Sequence, residues 1–252
     1  MGKIIAVVNQ KGGVGKTTTA VNITAALTEA GKRVLLCDFD PQANATSGLG
    51  LDKHRLKHSI YDVIINDVPT ANAIVHTDFG DVLPSTADLA GAGVELITMS
   101  DANFQLKNAL ESVRDQYDII LIDCPPSLEM LTLNSICAAD GIMVPVQCEY
   151  YALEGLADLM TTLRLIKKKI NPMLEIFGVV LTMFDGRTNF STQVAQEVRK
   201  HFPGKVFATV IPRNIRLAEA PSHGLPVTAY DRTSRGAQSY KALAQELIKK
   251  SK

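Results

Sequence analysis

The stretch Asn9-Gln10-Lys11-Gly12-Gly13-Val14-Gly15-Lys16-Thr17-Thr18-Thr19 lies between an apolar run, Ile4-Ile5-Ala6-Val7-Val8, and the segment Ala20 to Ala30. The apolar run reads as a buried strand and the later segment as a helix. Strand, glycine-rich loop and helix start together form the context of a phosphate-binding loop. Gly12, Gly13 and Gly15 let backbone N–H groups turn inward with no Cβ in the way. Those groups, with the positive end of the helix, favour an anion along the loop from Lys11 through Val14 to Thr18. Lys16 is placed to reach β- and γ-phosphates, and the Thr17 hydroxyl to ligate Mg²⁺. A plain glycine-rich turn with two solvated lysines is the bland alternative, and the agreement of strand, loop and helix weighs against it.

Working outward, apolar strands and amphipathic helices alternate along the whole chain. Strands are expected at Lys3–Val8, Arg33–Asp38, Tyr117–Asp123, Gly141–Pro145, Ile176–Thr182 and Phe207–Val210. Most are continuous apolar runs, as in strands covered by helices on both faces of a parallel sheet. The expected fold is therefore α/β: a doubly wound, mostly parallel sheet with helices on both faces. No linker or repeat divides it, so residues 1–252 are expected to form a single domain. Residues 51–116 say less, with a short helix expected from Ser59 through Ile65 and a surface helix over Phe104–Val113.

Two carboxylates are expected on the same edge as the loop, because ligands of open α/β sheets sit at the carboxyl ends of strands. The second strand ends in Asp38-Phe39-Asp40-Pro41-Gln42. Asp40 there can hold a water for attack on a γ-phosphate or hold a water on Mg²⁺; capping a turn before Pro41 is the plainer alternative. The run Ile119-Ile120-Leu121-Ile122 ends in Asp123, which suits Mg²⁺ held through water. Alone this motif is weak; in order behind the phosphate loop it is strong.

Composition sets outer bounds. Hydrophobic residues make up 46% and charged residues 21%, ordinary for a globular protein. No apolar run reaches membrane-spanning length. The chain enters its first strand by Lys3, so neither a signal peptide nor an N-terminal DNA-binding extension is expected. Cys37, Cys124, Cys137 and Cys148 form no C-x-x-C pair and read as free thiols of a reducing cytoplasm. The 26 basic and 26 acidic residues are unevenly spread: residues 185–252 hold 12 of the basic and 5 of the acidic ones. Such polarity marks either a surface that meets a polyanion or a solvated basic face.

The loop departs from the pattern G-x-x-x-x-G-K-[ST]: Gln10 stands at the first glycine and Lys11 is an added lysine. Lys-Gly-Gly-Val-Gly-Lys-Thr resembles the deviant Walker A motif of the ParA/MinD family of dimeric P-loop ATPases. Asp-x-Asp-Pro-Gln followed by Asn-Ala-Thr-Ser-Gly is similar to the second signature of its chromosome-partitioning ParA/Soj branch, with Ala43 where many relatives carry Gly. Asp123 with Pro125-Pro126, and Gln147 to Gly155, extend the likeness over essentially the whole chain.

The resemblance implies ATP and Mg²⁺ as cofactors and slow, partner-stimulated hydrolysis. Lys11 is implied to cross into the partner's site of an ATP-dependent homodimer. Lys11, Lys16 and Asp40 are the implied catalytic set, with Thr17, Asp40 and Asp123 around Mg²⁺. Pro212 and Asn214 are implied to contact adenine, with Met183 nearby. Arg187 and Arg216 match arginines implicated in binding non-specific double-stranded DNA. A ParB-type partner, chromosome or plasmid segregation in the nucleoid, and a link to a replication initiator complete the implied picture. The alternative is a MinD-like membrane-cycling ATPase. The helix expected at Ala237–Lys250 has Tyr240, Leu243, Ala244 and Leu247 on one face, and the chain stops a few residues later, so no membrane tail is expected.

Overall fold

The computed structural model describes residues 2–149 and 152–251. Its strands are β1 (Lys3–Val7), β2 (Val34–Asp38), β3 (Val75–Thr77), β4 (Gly80–Leu83), β5 (Ile119–Asp123), β6 (Gly141–Gln147) and β7 (Glu175–Thr182). Helices α1 (Lys16–Glu29), α2 (Asn44–Gly48), α3 (Ile60–Ile65), α4 (Thr70–Ala73), α5 (Leu89–Thr98) and α6 (Gln105–Glu111) lie in the first half. The second half adds α7 (Met130–Ala138), α8 (Ala152–Lys169), α9 (Asn189–His201), α10 (Ile215–Glu219), α11 (Val227–Tyr230) and α12 (Arg235–Lys250).

The strands make one seven-stranded sheet in the order β3-β4-β2-β5-β1-β6-β7, parallel except for the β3–β4 edge pair. This is the expected doubly wound α/β architecture. One apolar layer packs α1 and α12 on a sheet face, through Ile23, Leu27, Leu243 and Leu247. The other face is covered through Ile60, Leu96, Leu110, Ile136, Leu159 and Val198, contributed by α3 and α5 to α9. β1 and β5 are buried almost throughout, which explains their unbroken apolar sequence.

Three expectations change. The strand expected at Phe207–Val210 is not regular. Isolated bridges flank that segment, Val206 with Val179 and Pro212 with Phe184, and within it the Glu246 carboxylate accepts the N–H groups of Ala208 and Thr209 in place of a strand partner. The segment's close approach explains Gly178: a Cβ there would clash with the Phe207 ring. The first helix starts at Lys16, not Ala20, so Lys16, Thr17 and Thr18 form its opening turn. The surface helix expected over Phe104–Val113 is shorter, and its inner residues Leu106 and Leu110 are fully buried. By contrast, the short helix at residues 60–65 forms, closed by a capping box between Ser59 and Asp62.

Candidate functional site

β1 lies between β5 and β6, so the loop that leaves β1 opens over the centre of the sheet. Gly13 and Gly15 have φ of +74° and +90°, backbone that favours glycine. Gly15 caps α1 with no side chain of its own, which leaves the first-turn donors for a ligand. Among the described residues nothing accepts from the backbone N–H groups of Gly12 to Gly15. The loop is tied down at three points. The Lys11 N–H donates to Asn9 Oδ1 at 3.0 Å, Asn9 Nδ2 donates to Pro145 O at 2.7 Å, and Thr182 Oγ1 donates to Val14 O at 2.8 Å.

Lys16 is 7% exposed and donates from Nζ to the Lys11 carbonyl at 3.3 Å. Burial pulls its pKa down, opposed by the carboxylates of Asp123 and Asp40. Asp123 is wholly buried, and neither of its oxygens accepts a hydrogen bond of ordinary geometry. Burial raises its pKa well above the carboxylate range, helped by Asp38 and Asp40; the facing Thr17 hydroxyl and Lys16 act the other way. A buried, unsatisfied carboxylate is costly without a cation, so the donor set of Asp123 and Thr17 fits Mg²⁺. Among the described residues no three His, Cys, Asp or Glu side chains gather to hold a metal by themselves.

Asp40 is 7% exposed, and its Oδ1 accepts the Gln42 N–H at 2.9 Å. Sequence reasoning passed over its neighbour Asp38, which pairs in register with Asp123 across β2 and β5. Asp38 accepts from both the N–H and the hydroxyl of Thr46 at 2.7 Å, and burial pushes its pKa up to about 6. The first aspartate of the Asp-x-Asp repeat was the available signal. Glu149 was also missed: Lys11 Nζ lies 3.8 Å from one of its oxygens and Arg213 3.9 Å from the other. The adjoining Tyr150 and Tyr151 lie outside the described residues.

A cavity of about 450 Å³ adjoins the loop, lined by Gly15, Thr18, Met183, Pro212, Asn214 and Tyr240 among others. The structure thus gathers the three expected adenine contacts with the phosphate loop. Asn214 caps α10, its Oδ1 accepting the Arg216 N–H at 3.0 Å. The two arginines expected at DNA are exposed and locally paired. Arg187 donates to Asp185 at 2.7 Å, while Arg216 meets Glu219 at 2.8 Å and Asp231 at 3.2 Å. His54 and His76 are exposed, and all four cysteines are buried and unbridged. Among the described residues no helix is long and apolar enough to cross a membrane.

Comparison with known proteins gives the site its family. A family model described as an AAA domain matches residues 2–176. The chain is 55% identical to the sporulation initiation inhibitor protein Soj of Bacillus subtilis, over 98% of each chain. It is 49% identical to the chromosome partitioning protein ParA of Myxococcus xanthus, over 99% of this chain and 89% of that one. Among solved structures, cobyrinic acid a,c-diamide synthase from Mycobacterium smegmatis, with bound ATP analog and magnesium, superposes with a TM-score of 0.87 at 38% identity, covering 99% of this chain and 95% of that one. On its sequence, its fold and the loop that opens over its central strands, the chain belongs to the ParA/MinD family of ATPases, within the Soj/ParA chromosome-partitioning group.

Proposed function

We propose that the chain is an ATP hydrolase whose ATP-bound homodimer binds duplex DNA and drives chromosome or plasmid segregation. The observation that carries this reading is the meeting of Lys16, Thr17, Asp40 and the unsatisfied Asp123 at one loop with free backbone donors. The N–H groups of Gly12 to Gly15 bind the phosphates, and Lys16 offsets charge on the β- and γ-phosphates. Thr17 and Asp123 hold Mg²⁺, with Asp40 acting through water. The bound ion neutralises charge that develops during phosphoryl transfer. Asp40 orients the attacking water. Met183, Pro212 and Asn214 receive the adenine in the adjoining cavity.

Two copies pair face to face across their nucleotides. Lys11 then exchanges Glu149 for the phosphates of the other copy's ATP, acting as an arginine finger does elsewhere. Dimerisation doubles a weak phosphate-binding surface that includes Arg187 and Arg216. DNA affinity therefore rises steeply on ATP binding and falls with salt. The contacts are made to the phosphate backbone, so binding is sequence-independent. A ParB-type partner stimulates hydrolysis and releases the DNA, and a replication initiator is a second partner. The setting is the cytoplasm, at the nucleoid.

The test is phosphate release and light scattering on wild type and Asp40→Ala. The reading expects an ATP-dependent doubling of mass in both, with turnover lowered by about a hundredfold or more in the variant. Wild-type turnover in Asp40→Ala would remove that residue from the mechanism. A mass unchanged by ATP would remove the dimer.

A further inference from the structure

At the edge of the sheet opposite the phosphate loop, where β6 and β7 begin, a cavity of about 340 Å³ opens beneath α8. Ile142 and Ile176, each the second residue of its strand, line one side of it. Met160 and Leu163 of α8 line the other. Met160 and Ile176 are only partly covered by the core, so apolar surface faces the space.

A break in strand register makes that space. β6 and β7 pair Ile142 with Ile176 and then Met143 with Gly178, so Phe177 is an extra residue on β7. Phe177 packs in the layer of α1 and α12, and a Cβ on Gly178 would point into Phe207 of the same layer. After Ile176, the next β7 side chain on the α8 side is therefore Val179. Two consecutive residues turned the other way leave that side of β7 one side chain short, and the cavity lies beside the gap. Bulges bend a strand and re-aim its side chains, and they gather at sheet edges and next to functional sites. β7 is an edge strand.

The mouth of the cavity is cationic. Arg164 and Lys167, about one turn apart on α8, line it together with Lys205 and one acid, Glu175. Lys205 Nζ lies 4.0 Å from Glu175, a loose pair. Arg164 and Lys167 are exposed and have no ion-pair partner among the described residues. Lys167 lies in the last turn of α8, where the helix dipole favours a cation; Arg164 lies before that turn and has no such reason to be basic.

An apolar interior behind a cationic mouth fits a molecule with an apolar tail and an anionic head. The planar guanidinium fork matches a carboxylate. The volume is near the lower end of the roughly 300–1,000 Å³ of small-ligand pockets, which suits one short acyl chain rather than the two of a phospholipid. We propose that this cavity binds a medium-chain fatty acid, its tail between α8 and the first residues of β6 and β7 and its carboxylate against Arg164 and Lys167.

The probe is decanoate, titrated by isothermal calorimetry into the full chain, beside decylamine and acetate. Met160→Trp fills the cavity from its α8 wall. The double variant Arg164→Gln/Lys167→Gln removes the head contacts on the exposed surface and leaves the core alone. The expected result is one decanoate per chain, bound about tenfold or more weakly in each variant, with no saturable binding of decylamine or acetate. The ATP-bound mass should be the same in wild type and the double variant, so this site is read apart from the ATPase site. No decanoate binding, or equal affinity in wild type and the double variant, would overturn the proposal. Decylamine binding as tightly as decanoate would do the same. So would retention on phosphatidylglycerol vesicles without decanoate binding, because the cations would then serve a lipid surface.

Discussion

Asp38 and Asp123 are register partners on adjacent parallel strands; both are fully buried, yet only Asp38 is satisfied by hydrogen bonds. The pair thus splits a fixed role from an open one. Thr46 keeps Asp38 occupied, tying β2 to the α2 turn, while Asp123 faces the loop and the Thr17 hydroxyl with neither oxygen in a hydrogen bond of ordinary geometry. Such unsatisfied buried charge persists in a fold when a ligand makes use of it.

The first prediction follows from that asymmetry. Asp123→Asn replaces a buried carboxyl group that accepts no well-formed hydrogen bond, so the nucleotide-free protein should gain about 1 kcal/mol, or roughly 2–4 °C in Tm. The same variant should lose the part of its ATP-induced stabilisation that depends on Mg²⁺. Thermal melts with ATP, with and without EDTA, report both effects. A variant that keeps the full Mg²⁺-dependent increment would take Asp123 away from the ion.

Glu149 holds Lys11 and Arg213 at 3.8 and 3.9 Å on a partly exposed surface. Exposed pairs of this kind are worth about 0–1 kcal/mol. Glu149→Gln should therefore tighten ATP-dependent dimerisation by no more than about fivefold. Sedimentation equilibrium with ATP reads the change; weaker dimerisation would mean that Glu149 serves the dimer rather than holding Lys11 back.

Arg216 is shared between Glu219 and Asp231. Its pairs are weak enough to exchange for phosphate. Arg216→Ala should lower DNA affinity and flatten its salt dependence by about one unit of slope, leaving dimerisation intact. A titration at several salt concentrations that gives the wild-type slope would exclude a phosphate contact.

Tyr240 on α12 meets Thr19 on α1 through buried hydroxyls 3.1 Å apart. This bond joins the phosphate-loop helix to the C-terminal helix and borders the nucleotide cavity. Tyr240→Phe leaves the Thr19 hydroxyl without that partner and should cost about 1 kcal/mol, or roughly 2–4 °C in Tm. An unchanged melting curve would show that the contact contributes nothing net.

Burial pushes the Cys124 thiol up to about 12 and those of Cys137 and Cys148 up to about 11; Cys37 is raised as well. All four are enclosed. Ellman's reagent at pH 8 should find no fast-reacting thiol in the native protein and four after guanidinium unfolding. One fast native thiol would show an opening that the packed structure lacks.

The central sheet was legible because its strands are covered on both sides and read as unbroken apolar runs. The loop was legible because its chemistry needs a fixed order of glycine, lysine and threonine. The segment at Phe207–Val210 misled because apolar residues beside β7 look like a strand in sequence, while the Glu246 carboxylate that takes their N–H groups lies 37 residues or more away. The edge strand Val75–Thr77 and its neighbour Gly80–Leu83 are short, and the apolar pattern of Val75–Thr77 is broken by exposed His76. Glu149 went unseen because its meaning comes from tertiary contact with Lys11.

The most direct test is binding to non-specific duplex DNA without nucleotide, with ADP and with ATP–Mg²⁺, for wild type and Lys16→Ala. The account predicts tight binding only for wild type with ATP, weakened by salt and absent in the variant. DNA binding that is indifferent to nucleotide, or none under any condition, would contradict an ATP-gated DNA switch.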